Sequence, residues 1–275
     1  MMKNKRLLPN LIRASILWLV SLTVLIPFLM ILMNSLKTSA EASVIDFSLP
    51  AEFQWNNYAK VVESAHLVRA FFNSLLISSA SVMICILVTS MSAFILARHR
   101  TRLNKVFYNY FFLGLIAPLN YVTTIWVLKF FQIQNSYVGI ILVYAVLGIP
   151  FAMFLFYSFI NGIPRELDEA AIIDGCGIRR LFFDVIFPLL KPVTVTALVL
   201  NFLGAWNDFV SPLYLLNSSE KLGMVNSIYN FFGAHFNDWN LIFADIVMST
   251  IPITVLYLFG QRYIVSGMTA GSVKG

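Results

Sequence analysis

From Ala14 to Leu36 the chain carries no charged side chain, and a run of that length restricts the fold more than any other feature. About 20 mostly apolar residues in a helix cover the roughly 30 Å of hydrocarbon in a bilayer. Five further runs are mostly apolar, at about 71–97, 107–131, 137–160, 186–207 and 241–263. In lipid the backbone must bond within its own segment, so each run is predicted to be helical. The expected fold is therefore all-α, a polytopic membrane protein with six transmembrane helices. The run at 186–207 is the least uniform, with Lys191 near its start and Asp208 at its far end. Composition supports the reading: 59% of residues are apolar and 12% charged, against roughly 45–50% and about 25% in soluble domains.

Lys3, Lys5, Arg6 and Arg13 precede the first run and resemble the opening of a signal peptide. The run is longer than the roughly 7–15 residues of such a peptide, and no small-x-small site closes it cleanly, so it reads as an uncleaved first span. Lys and Arg gather in cytoplasmic loops. With six spans, residues 1–13, the loops 98–106 and 161–187 and the tail 264–275 share one side. That side holds fourteen of the 19 basic residues: Lys3, Lys5, Arg6, Arg13, Arg98, Arg100, Arg102, Lys105, Arg165, Arg179, Arg180, Lys191, Arg262 and Lys274. Both termini are thus expected in the cytoplasm, flanking a permease domain at 14–263. The net charge of +6 reflects this bias and does not call for nucleic acid. Cys85 lies in an apolar run and Cys176 in a polar loop, which gives no disulfide framework. The outer loop 34–70 is expected to cap the bundle.

The most informative stretch is the cytoplasmic segment 161–192. Pro164 can open a helix, because its missing N–H would have no partner there. Glu166, Asp168 and Glu169 follow in the first turns, where the helix dipole favours anions. Gly175 and Gly177 then end or bend it. Leu167, Ala170, Ala171 and Ile178 recur near helical spacing and form an apolar stripe outside the bilayer. Two coverings are open: lipid headgroups, or the groove of another protein.

Glu169-Ala170-Ala171, with Gly175 six residues after the Glu and Pro188 thirteen after Gly175, resembles the "EAA" signature of ABC-importer permeases. Asp174-Gly175 and Pro192 fit its extended form. Val185 and Phe187 depart from the usual Ile and Leu but stay apolar. Trp55-Asn56-Asn57-Tyr58, Phe72-Asn73-Ser74-Leu75, Trp206-Asn207-Asp208-Phe209 and Thr269-Ala270-Gly271-Ser272-Val273-Lys274-Gly275 resemble, in particular, the shorter permease of the maltose-type carbohydrate importers. The resemblance spans nearly the whole chain. It implies an inner-membrane subunit of a bacterial importer, working with a second permease, two ATP-binding subunits and an extracytoplasmic solute-binding protein. Its cytoplasmic coupling helix would lie between the fourth and fifth spans. The residues carried over to the ATPase contact are Glu169, Ala170, Ala171, Asp174, Gly175, Gly177 and Pro188.

The chain has no G-x-x-x-x-G-K-[ST] phosphate loop, so no cofactor is expected in it; ATP and Mg would be bound by the partner ATPase subunits. No catalytic triad or metal-ligand spacing is legible, and a non-enzymatic transport subunit is expected. Polar groups in spans often mark a pathway. Asn120 and Tyr121 after Pro118 could line a cavity or bond a neighbouring helix. Trp206, Asn207 and Asp208 could form an outer gate or sugar contact, or a belt residue with a polar helix end. The implied cargo is a sugar or oligosaccharide; rivals are a glycerol-phosphate or amino-sugar compound, or ion-coupled secondary transport. Inverted repeats would support the last, and none is visible.

Overall fold

The structure, a computed structural model, describes residues 7–99, 101–232 and 238–270, with backbone alone at 7–12 and 262–270. Expectations for Lys3, Lys5, Arg6, Arg100 and Lys274, for the Arg262 side chain and for the tail beyond Ala270 lie outside it. Every regular element in the described residues is helical. The main ones are α1 (Leu7–Ser35), α2 (Leu67–Arg98), α3 (Arg102–Leu113), α4 (Tyr121–Phe130), α5 (Tyr137–Asn161), α6 (Glu166–Ile173), α7 (Lys191–Asn207), α8 (Val210–Leu215) and α9 (Trp239–Ala270). Four of these, α1, α2, α5 and α9, are long and apolar enough to cross a membrane alone.

The third and fifth predicted spans are corrected in form. The run 107–131 is broken between α3 and α4, where Pro118 supplies no backbone donor and Asn120 starts a new helix as its N-cap. The run 186–207 straddles a break in a pair of helices, Ile178–Leu189 and Lys191–Asn207, bent by 75°. Pro188 and Pro192 flank the bend; Pro192 stands in the first turn of α7, where its missing N–H has no partner to lose.

The chain forms two compact units, one of residues 1–68 and 227–251, the other of residues 69–226 and 252–275. In the first, the segment after α1 is knotted by polar bonds. Lys37 is fully buried, and its ammonium lies 2.5 Å from Asp46 Oδ1 and 3.1 Å from Asn34 Oδ1. Asn57 donates to the carbonyls of Ser35 and Lys37 at 2.9 Å each, and its own oxygen accepts from Asn240. Hydrogen bonds from Lys37 and Ser48 hold the Asp46 carboxyl down at about 2. Asp245, in the second turn of α9, is buried and accepts from the Ser227 hydroxyl.

In the second unit, α2 sets the pattern. Its buried positions recur at Ser74, Ser78, Ser81, Cys85, Thr89, Ala93 and Ala97, while Leu76, Met83, Leu87, Val88, Met91 and Ile95 are exposed. The interior face is the smaller and more polar one, the reverse of a soluble amphipathic helix. That arrangement suits a helix whose solvent is hydrocarbon and whose neighbours approach closely through small residues. At one such approach, a Cβ on Gly148 would strike Asn201 Oδ1 and come within 3.0 Å of Cys85 Sγ, which brings α2, α5 and α7 together.

Contacts at both ends show that α2 and α5 run parallel. Near their first turns Tyr137 donates to Asn73 Oδ1 at 2.9 Å; at their last, Arg98 reaches the Ile160 carbonyl. The segment from 99 to 136, with α3 and α4, therefore climbs back along their length. Its return turn is tight, with Gln132 and Asn135 both at positive φ. Helix α7 is antiparallel to α2, since Trp206 near its end packs on Phe71 near the start of α2.

Candidate functional site

The segment after α5 folds as predicted into a short helix and a glycine turn, although α6 starts at Glu166, two residues after Pro164. Glu166, Asp168 and Glu169 occupy its first turn. Its end is a complete Schellman motif: Gly175 N–H bonds Ile172 O at 3.0 Å, and Cys176 N–H bonds Ala171 O at 3.0 Å. Gly175 sits at φ +80°, and a Cβ there would meet nothing within 4 Å. Its glycine is required by backbone conformation, not by crowding within this chain. Gly177 precedes the next helical turn, and Pro188 lies just before the bend ahead of α7.

The apolar stripe is partly redistributed. Ala171 is turned inward and buried. Leu167, Ala170, Ile172, Ile173 and Ile178 face outward, with Ile173 84% exposed. Glu169, Asp174, Gly175 and Gly177 are exposed beside them. Ile173 is an addition that the helical spacing of Leu167 and Ala170 could have found, whereas Ile172 lies off that spacing.

Sequence reasoning also missed what holds this helix. Arg98, counted above only as a cytoplasmic charge, donates to the carbonyls of Ile160 and Ile163 at 3.4 and 3.1 Å and to Asp168 Oδ1 at 3.1 Å. Its Nε lies 2.6 Å from Asp168 Oδ2, close enough for an ion pair yet off the line of a hydrogen bond. The two side chains are only 9% and 13% exposed. Arg165 returns a bond to the Arg98 carbonyl at 3.3 Å.

The proposed pathway residues divide. Asn120 caps α4, its side chain accepting from Thr123 N–H at 3.1 Å. Tyr121 stacks on Tyr214 with ring centres 4.7 Å apart, and its hydroxyl lies 3.2 Å from Ser211 Oγ. Asp208 accepts from the N–H groups of Val210 and Ser211 at 2.9 and 3.1 Å, and so starts α8. Trp206 is buried and stacked on Phe202, which removes it from any membrane belt. Asn207 is exposed. Trp206 and Asp208 share with Ser78, Tyr144 and Asn226 the wall of a cavity of about 20 Å³. Ser78 Oγ, Tyr144 OH and Trp206 Nε1 are buried around it without a hydrogen bond. That space is close to the minimum for one water, and no sugar ring enters it in this conformation. A larger pocket of about 330 Å³, lined by Leu119, Val127, Phe131, Leu142 and Val146 among others, is almost wholly apolar.

Parallel and antiparallel apolar helices, with many large apolar side chains turned outward, define a multi-pass membrane protein. Residues 86–270 match the family described as binding-protein-dependent transport system inner membrane component, and the chain belongs to it. It is 34% identical to the probable starch degradation products transport system permease protein AmyC of Thermoanaerobacterium thermosulfurigenes, over 90% of this chain and 91% of that one. It is 32% identical to the diacetylchitobiose uptake system permease protein NgcG of Streptomyces coelicolor, over 94% and 86%, and 33% identical to the melibiose/raffinose/stachyose import permease protein MelC of Bacillus subtilis, over 91% of each. The fold is similar, with a TM-score of 0.82 at 20% identity over 96% of this chain and 99% of the other, to a crystal structure of a bacterial ABC transporter involved in the import of the acidic polysaccharide alginate. By its family the chain is a transport component rather than an enzyme, and a subunit that works with partners.

Proposed function

We propose that this chain is the permease subunit of an ABC importer that carries a sugar or oligosaccharide inward across the cytoplasmic membrane. Three relatives with at least 32% identity are named for carbohydrate transport, which supports that cargo class. The partners are a second permease, two ATP-binding subunits that hold ATP and Mg, and an extracytoplasmic binding protein that delivers the sugar. The single observation that carries the mechanism is α6: an exposed, partly apolar helix at the inner ends of α2 and α5, closed by the Gly175 turn. An ATPase that grips Glu169, Ala170, Asp174 and Gly175 in one nucleotide state and releases them in another biases the permease between inward- and outward-open forms. Only such differential binding can shift the two states.

Parallel α2 and α5 require 99–136 to cross once between them, which supports six crossings with both termini in the cytoplasm. The test is uptake of labelled maltotriose, raffinose and diacetylchitobiose by cells with and without the gene. Loss of one sugar's uptake, dependent on ATP in vesicles and insensitive to a protonophore, is the expected result. Uptake that collapses with the proton gradient while ATP is present would mean secondary transport instead.

A further inference from the structure

We infer that Arg98 is a positioning residue that locks α6 to the inner end of α2, so that force on the loop reaches that span directly; the transport part of this inference rests on the function proposed above. One guanidinium joins three chain segments. It belongs to the last turn of α2, it satisfies the Ile160 and Ile163 carbonyls where α5 ends, and it pairs with Asp168 in the first turn of α6. Each charge sits where a helix end favours it: the cation beside the carbonyls left open at C-termini, the carboxylate in an N-terminal turn. Arg165 closes the joint from the other side through the Arg98 carbonyl. The fork geometry matters, because three hydrogen bonds donated from one planar group fix an orientation that a Lys ammonium would not.

A pair this little exposed is costly to break from one side, since the remaining charge stays buried and unpartnered. Besides the clamp, α6 packs against the helical turn Leu181–Ile186. Ala171 is its one buried residue, and the Ile172, Ile173 and Leu167 side chains project outward. Without the clamp, an ATPase could still seize α6, but the motion would be spent in the loop.

The native thiols provide a reporter. Cys176, partly exposed, follows Gly175 in the turn that closes α6, whereas Cys85 is buried. In inverted membrane vesicles, Asp168→Asn and Arg98→Lys are expected to raise the labelling of Cys176 by a charged maleimide several-fold. Asp168→Glu, which keeps the pair, and Glu166→Gln, on the exposed side of the same turn, should label as the wild type does. In the co-purified complex, Asp168→Asn should leave ATP hydrolysis within about twofold while uptake of the sugar identified above falls about tenfold, the scale on which changes in a coupling network act. A variant that merely misfolds would lose both together. Wild-type labelling in Asp168→Asn overturns the clamp; raised labelling with full uptake overturns its role in coupling. If no sugar's uptake depends on the gene, the functional reading fails, and labelling alone decides whether Arg98 holds α6.

Discussion

At the scale of single residues, two side-chain positions carry separable physics. Gly175 occupies the left-handed region with open space around it, so Gly175→Ala is penalised only by its backbone, by about 1–2 kcal/mol. Asn tolerates that region better, and Gly175→Asn is expected to be milder. The readout is local: Ala should expose the Cys176 thiol to maleimide more than Asn does, because the Cys176 N–H bond to Ala171 depends on the turn. The spacing from Glu169 marked Gly175 in the sequence, but the same spacing is also met by a glycine chosen for close approach of a partner. Only the positive φ separates the two reasons. Asp46 shows the opposite case, legible in no motif. Its carboxyl is held down at about 2 by Lys37 and Ser48. A depressed carboxylate pKa contributes stability above the unfolded value, near 3.9, and that contribution is lost as pH falls through 2. The segment around Asp46 should therefore keep its protease resistance down to about pH 4, in vesicles of whichever orientation exposes it, and lose it progressively below. Asp46→Asn should lose it already at neutral pH, since the buried Lys37 ammonium is left without its anion.

At the scale of elements, the long uncharged runs were readable because a bilayer demands length and apolarity together. The breaks were not. Hydropathy is continuous across 107–131, and nothing in it distinguishes one long helix from α3 and α4 joined by an extended turn. Pro118 was the only local signal. Which face of α2 lies inward was also hidden, because both faces are largely apolar; Ser, Cys, Thr and Ala lie within, together with Ile77, Ile86 and Phe94, while most of the Leu and Met side chains lie without. Gly148 tests that packing. It sits where α5 meets Cys85 of α2 and Asn201 of α7, and no void exists to receive a side chain. Gly148→Leu is expected to destabilise the protein by about 1–3 kcal/mol or more through overpacking. The measurement is a lowered thermal midpoint of the detergent-purified complex. Gly204→Leu serves as the comparison, because its Cβ would meet nothing within 4 Å; it should change the midpoint little.

At the scale of the whole molecule, the proposed coupling depends on what covers the apolar stripe on α6. The sequence left two coverings open, lipid headgroups or another protein's groove. The structure turns Ala171 inward and leaves Leu167, Ala170 and Ile173 along one outer face, with Glu169 and Asp174 beside it. A helix resting on anionic headgroups would present Lys and Arg next to its apolar edge. The residues beside Leu167, Ala170 and Ile173 are acidic, whereas Ile178 is followed by the exposed Arg179 and Arg180, so charge alone does not choose between the two coverings. Ile173→Asp should then separate the alternatives. Burying a large aliphatic side chain contributes about 1.5–3 kcal/mol, so an aspartate at the docking face should reduce co-purification of the ATP-binding subunits by about tenfold or more, with membrane insertion and abundance unchanged. Were the stripe seated on lipid, the same substitution would leave the ATPases bound and loosen only the loop, detectable as faster Cys176 labelling. An intact complex with slow labelling would mean that Ile173 is simply exposed, and the site of force transfer would have to lie nearer the Gly175 turn.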